Sequence, residues 1–191
     1  PLARAAMPFL VDVQAVLRQN TQLAVLDEDG VLVLERLAAR DAVVNRAAVA
    51  ERLPAFTTSL GLVLLAFARP GEAARFVDRH RDRLGRPVDP ALPQEAGAPA
   101  PAAGPPAVAA PTEEGLRTLL AQVRRDGYAA VDGAVDPEAR GIAVPVHRGR
   151  GLSPAALGVV VHREDPVTPG VPPLLMTAAR GISRALGADS Q

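Results

Sequence analysis

Leu53-Pro54-Ala55-Phe56-Thr57-Thr58-Ser59-Leu60-Gly61-Leu62-Val63-Leu64-Leu65-Ala66 compresses a strand exit, a hydroxyl-rich cap and a buried helix into one stretch. Pro54 has no amide to give to a sheet ladder, so it discourages continuation of the preceding strand. Three consecutive hydroxyl side chains then offer N-cap oxygens to a helix that begins near Ser59. The first amides of that helix are unpaired, and its N-terminus carries roughly half a positive charge. A carboxylate is therefore favoured there without any basic side chain. A capped core helix without a ligand is the plainer reading, because Ser and Thr before an apolar run commonly act only as caps.

Upstream, residues 2–18 place Ala6, Leu10, Val13 and Leu17 on one side of an amphipathic helix, with Arg4, Asp12 and Arg18 elsewhere. Segments 22–27 and 31–37 flank Glu28-Asp29-Gly30 and predict a hairpin, with Gly30 supplying positive φ to the turn. Residues 43–49 read as a third strand whose polar members are Asn45 and Arg46. Strand alternation sends those two to opposite faces, so at most one meets a ligand, Arg46 by a bidentate contact to a carboxylate. Surface placement is the other reading. The central helix is expected to stop near Arg69-Pro70-Gly71, and a second follows over 72–84 with Phe76, His80 and Leu84 at helical spacing.

From 86 to 111 Pro, Ala and Gly dominate and neither helical nor strand period is visible. Such a composition buries too little to offset ordering entropy, which predicts a flexible insertion. Thr112 then caps a helix with a stripe of Leu116, Leu119, Leu120 and Val123, and Gly127 terminates it. Strands are predicted over 128–131, 141–147 and 155–162, and a closing helix over 172–186. The order of elements predicts an α+β domain with one antiparallel or mixed sheet of about six strands flanked by helices.

With 191 residues the chain suits one domain with a substantial core. Its 21 basic and 21 acidic residues balance, so it lacks the electrostatic footprint of a surface that neutralises nucleic-acid phosphates. There is no Cys, which excludes disulfides and thiolate metal sites and fits a cytoplasmic protein. No apolar run approaches the ~20 residues needed to span a bilayer, and no membrane partner is expected. The first residue is Pro1, which suggests a piece of something longer.

Three blocks share a pattern: 22–27 through 33–37, the stretch 53–66, and Val123-Arg124-Arg125-Asp126-Gly127-Tyr128 through Gly141-Ile142-Ala143-Val144-Pro145-Val146. Together, in this order and spacing, they resemble the C-terminal effector-binding domain of IclR-type bacterial transcriptional regulators. The resemblance covers nearly everything except 86–111. It implies a GAF-like fold with a small molecule, often an organic acid, held between sheet and loops. It also implies an N-terminal winged helix-turn-helix for promoter DNA, of which residues 1–20 would be the joining helix and 21–191 the effector domain. A homodimer or homotetramer goes with that organisation.

Carried over residue by residue, the family's amide donors for a ligand carboxylate fall at Ser59 and Leu60. The acidic string after Gly-Tyr is reduced to Asp132, a frequent Cys becomes Gly141, and paired Ser positions become Gly158 and Val160. A His and a Lys of the family are Phe56 and Leu62 here. The expected ligand-binding set is therefore Ser59, Leu60, Asn45, Asp132, Gly141, Gly158 and Val160, in a widened site that takes a small organic acid or, better, a larger or more apolar effector. Arg36 matches a family Arg for which a structural ion pair is the safer reading.

No catalytic residue, metal ligand or cofactor is expected. His80, His147 and His162 are far apart in sequence and have no Cys partners. Ser59 lacks the Gly-x-Ser-x-Gly setting of a hydrolase nucleophile, Ser153-Pro154 reads as a turn, and Gly149-Arg150-Gly151 is too short for a phosphate loop. The alternative to an effector sensor is a degenerate one that keeps the fold for subunit association alone. An enzyme comes third.

Overall fold

The computed structural model describes residues 1–39, 49–50, 52–88, 108–134, 137–165 and 168–188. Helix α1 (Leu2–Leu17) is followed by the hairpin β1 (Asn20–Leu26) and β2 (Val31–Leu37), then a two-residue strand β3 (Arg52–Leu53). Next come α2 (Ser59–Ala66) and α3 (Glu72–Arg79), and a small ribbon of β4 (Pro87–Val88) and β5 (Val108–Ala109). Helix α4 (Glu113–Asp126), strands β6 (Ala129–Asp132), β7 (Ala139–Val146) and β8 (Ala155–His162), and helix α5 (Val171–Ala188) complete the chain.

The main sheet runs β3-β2-β1-β8-β7-β6, and its described pairings are all antiparallel. The expected α+β class therefore holds, without a mixed sheet. Strand β3 ends at Leu53, where Pro54 withdraws its amide from the ladder. The third strand expected over 43–49 falls largely outside the described residues, and so do Asn45 and Arg46; Val49 lies in a turn.

Because side chains alternate along a strand, the sheet feeds two cores. Ala24, Val33, Ala143 and Ala156 pack with α2, α3 and α4, whereas Leu23, Ile142, Val144, Leu157 and Val159 pack with α1 and α5. Every residue of α2 is buried, as expected of a helix that is apolar all round. It is sandwiched between sheet and α4, and Arg124 Nε donates to the Ala66 carbonyl at its C-terminus, 2.6 Å away. Helix α1 buries Leu2, Ala6, Leu10 and Val13 against β1 and α5, so it belongs to the domain's own core.

Several local expectations change. The segment 86–111 is not featureless at its ends: β4 pairs with β5, Gly85 N bonds Pro111 O at 3.1 Å and Ala110 is buried. Gly30 is absent from the positive-φ positions; glycine is needed there because a Cβ would stand 2.7 Å from the Leu53 carbonyl oxygen. Leu119 of the α4 stripe is exposed, while Leu116, Leu120 and Val123 are buried. The central helix stops at Ala66, short of Arg69, and 72–84 divides into α3 and a single 3₁₀ turn at Arg81–Arg83.

Candidate functional site

The start of α2 is built by one hydroxyl. Thr58 has extended backbone, its Oγ1 accepts from the Gly61 amide at 3.2 Å and donates to the Pro54 carbonyl at 2.7 Å. That closes the turn after Pro54 and satisfies the third amide of the helix. Leu62 N already bonds the Thr58 carbonyl at 3.0 Å. The amides of Ser59 and Leu60 have no partner among the described residues. Both residues are buried, so these two donors sit in a site of low polarity at the positive end of a helix.

Ser59 and Leu60 lie on the sheet through two glycines. A Cβ at Gly141 would be 2.8 Å from Ser59 Oγ, and one at Gly158 would be 2.9 Å from Leu60 Cδ2. The two glycines therefore admit the helix start to the sheet; the space they free is taken by Ser59 and Leu60, which corrects the expectation that they widen the site. Gly141 pairs with Val160 across β7 and β8, so Val160 stands beside it on the same face. Ser59, Leu60, Gly141, Gly158 and Val160 are thus brought together.

Asp132 is not. Val131 pairs with Gly141 and faces α2, so Asp132, paired with Arg140, points to the opposite face. There Arg140 grips it with two hydrogen bonds, Nη2 to Oδ2 at 3.0 Å and Nε to Oδ1. The Arg140 hydrogen bonds hold the Asp132 carboxyl below the usual carboxylate range, against a smaller upward push from desolvation. A cavity of about 570 Å³ opens on that side, lined among others by Tyr128, Ala130, Arg140, Ile142, Arg163 and Pro172. It also receives Glu164 and Asp165, so its charges are of mixed sign and favour no one ligand class.

Sequence reasoning missed two polar residues on the α2 face. Asn20, Gln22 and Ala24 alternate along β1 toward α2; Asn20 and Gln22 are buried. Gln22 pairs with Gly158 on one side and Arg36 on the other, so all three share that face. Asn20 Oδ1 accepts from the Ala39 amide at 3.1 Å, whereas Gln22 Nε2 is buried without a partner among the described residues. The signal was present as two polar residues, two apart, leading into Leu23-Ala24-Val25. A central strand buried on both faces gives such residues no route to water.

The histidines and Ser153 that the sequence singled out lie in structural contacts. His80 Nε2 is 2.7 Å from the Glu28 carbonyl, with its ring 4.5 Å from that of Phe76, and clamps α3 onto the β1–β2 turn. Ser153 Oγ donates to the Glu72 carboxylate at 2.6 to 2.7 Å, joining the start of α3 to the β7–β8 connection. His162 stands 3.4 Å from a Glu138 carboxylate oxygen and His147 lies edge-on to Phe67. No helix among the described residues is long and apolar enough to cross a membrane.

Comparison with known proteins gives the family and the fold. Residues 1–86 match the family model described as bacterial transcriptional regulator IclR C-terminal. An IclR homolog from Microbacterium hydrocarbonoxydans, crystallised with 4-hydroxybenzoate, is 39% identical with a TM-score of 0.75, over 98% of this chain and 68% of its own. The Pca regulon regulatory protein of Pseudomonas putida is 29% identical over 97% of this chain. The chain spans 59% of that relative's length. The C-terminal domain of the Escherichia coli regulator KdgR shares the fold, with a TM-score of 0.71 at 24% identity over 97% of this chain and 98% of its own.

Proposed function

We propose that this chain, which belongs to the IclR family of bacterial transcriptional regulators and carries the family's C-terminal domain, binds an aromatic monocarboxylic acid at the start of α2. The observation that carries this reading is the pair of amides at Ser59 and Leu60 without a partner among the described residues, in a helix start fixed by Thr58 and seated on Gly141 and Gly158. Two convergent N–H groups at a helix N-terminus match the two oxygens of a carboxylate. Leu60, Val160 and Val131 offer apolar surface beside them for a ring, which suits an aromatic acid better than a small polar one. The 4-hydroxybenzoate held by the Microbacterium homolog gives the first compound to try.

In the full regulator, acid binding would shift the arrangement of subunits in a homodimer or homotetramer. That shift would move the paired winged helices on promoter DNA in the cytoplasm. Helix α1 would join the two domains; because it is also packed on α5, a movement of the effector core has a rigid element through which to act.

Isothermal titration of 4-hydroxybenzoate into the chain and into Ser59→Ala and Ser59→Pro tests the site. Ser59→Ala keeps the amide and is expected to bind nearly normally. Ser59→Pro deletes one donor at the first helical position, where proline is tolerated after the extended Thr58. A charge-assisted hydrogen bond is worth about 1.5–3 kcal/mol, so the expected loss is about ten- to a hundredfold. Unchanged affinity in folded Ser59→Pro refutes the site. A sensor that has lost its effector is the second reading, favoured by the closeness with which Ser59 and Leu60 already cover the two glycines; no heat from any aromatic acid would select it.

A further inference from the structure

We infer that Gln22 is the residue that reads a hydroxyl group on the ligand, so that the site distinguishes a hydroxylated aromatic acid from its deoxy analogue. The inference rests on the effector-site reading above and adds a specificity determinant to it. Gln22 is only 3% exposed, and its Nε2 has no hydrogen-bond partner among the described residues. Leaving an amide buried and unpaired is costly, and an apolar side chain of the same size would serve packing better. The cost makes sense where a partner arrives from outside the chain.

The placement of Gln22 fits that partner. It lies on the α2 face of β1, directly across from Gly158, above which the Leu60 side chain sits. Ser59 stands over Gly141 on β7; Gly141 pairs with Val160 and Val160 with Asn20, so Gln22 lies two strands over and two residues along β1. Two strand spacings with a two-residue step are about 12 Å, roughly the reach of a para-substituted benzene ring with a hydrogen bond at each end. With the Leu60 side chain turned off Gly158, a carboxylate at the Ser59 and Leu60 amides would carry its far substituent toward Gln22. The glutamine amide donates through Nε2 and accepts through Oε1, and a hydroxyl can meet either end. A hydrogen atom in its place leaves the amide unpaired, whereas a hydroxyl satisfies it.

Titrations of benzoate and 4-hydroxybenzoate into wild type and Gln22→Leu test this. Wild type is expected to prefer the hydroxylated acid by about tenfold or more. In Gln22→Leu that preference disappears through weaker 4-hydroxybenzoate binding, with benzoate affinity kept within about threefold. The ligand-free melting temperature of Gln22→Leu holds or rises, since an unpaired buried amide has been replaced by an apolar group; if the variant fails to fold, Gln22→Met carries the same comparison. Binding of both acids by wild type without discrimination, or a preference that survives in Gln22→Leu, overturns the inference and leaves the effector site standing. Failure of both acids to bind wild type overturns both readings together.

Discussion

Gly61→Ala sets two physical effects against each other at the centre of the fold. Alanine is favoured over glycine in a helix interior by about 1 kcal/mol, so propensity alone predicts stabilisation. A Cβ at Gly61, however, would come within 2.6 Å of three backbone atoms of Ala55. Ordinary contacts between such atoms begin near ~3.5 Å, so the 54–58 turn must move by about 1 Å or α2 must lift from it. Neither is easy, because Thr58 Oγ1 ties the Pro54 carbonyl to the Gly61 amide and both α2 and Ala55 are buried. Overpacking of this kind costs about 1–3 kcal/mol or more, and a clash with backbone lies at the upper end. The net loss is then about 2 kcal/mol, a fall in melting temperature of about 4–8 °C for a domain of this size. Gly187→Ala is the matched control: it is helical and exposed and has nothing within 4 Å of its Cβ, so it should gain about 0.5 kcal/mol. Scanning calorimetry of both variants decides the matter. A Gly61→Ala protein as stable as wild type, or more so, would refute the close-approach argument.

The Asp132–Arg140 pair should show in acid, because the folded carboxyl titrates below its unfolded value: its stabilising contribution is present above about pH 4 and is lost as pH falls through the depressed folded value. Carbon-detected NMR titration should find the Asp132 midpoint rising toward the ordinary carboxylate value in Arg140→Gln, and an unmoved midpoint would disprove the assignment of cause. Leu157→Ala removes a fully buried side chain from the central strand β8 and should cost about 3 kcal/mol, read as a fall of about 6–12 °C in the melting transition.

The legible parts of the fold share a common origin in local chemistry. Thr58 as a cap, Pro54 as the end of a strand, Thr112 and Gly127 as the two ends of α4, and the apolar runs of β7 and β8 all express propensities or periods that neighbouring residues alone decide. The misread parts depend on residues far away in sequence. Gly30 was assigned to a turn conformation, but its constraint comes from the carbonyl of Leu53 on another strand. Gly141 and Gly158 were read as openings, and α2 closes them. Asp132 was placed in the site because it follows Gly-Tyr, yet strand alternation and Arg140 turn it to the other face.

The sequence by itself determined the identity and order of the elements, the hydroxyl cap that starts α2 and the family to which these blocks point, since each is written in short-range patterns of polarity, turn residues and capping groups. Tertiary structure alone decided which polar groups converge. Register between β1 and β8 set Gln22 beside Gly158, and the seating of α2 brought the Ser59 and Leu60 amides to the same face. Strand parity removed Asp132 from it. The proposed binding site is a meeting of side chains from β1, β7, β8 and α2, and a linear chain fixes their alternation but not the pairing that makes them neighbours.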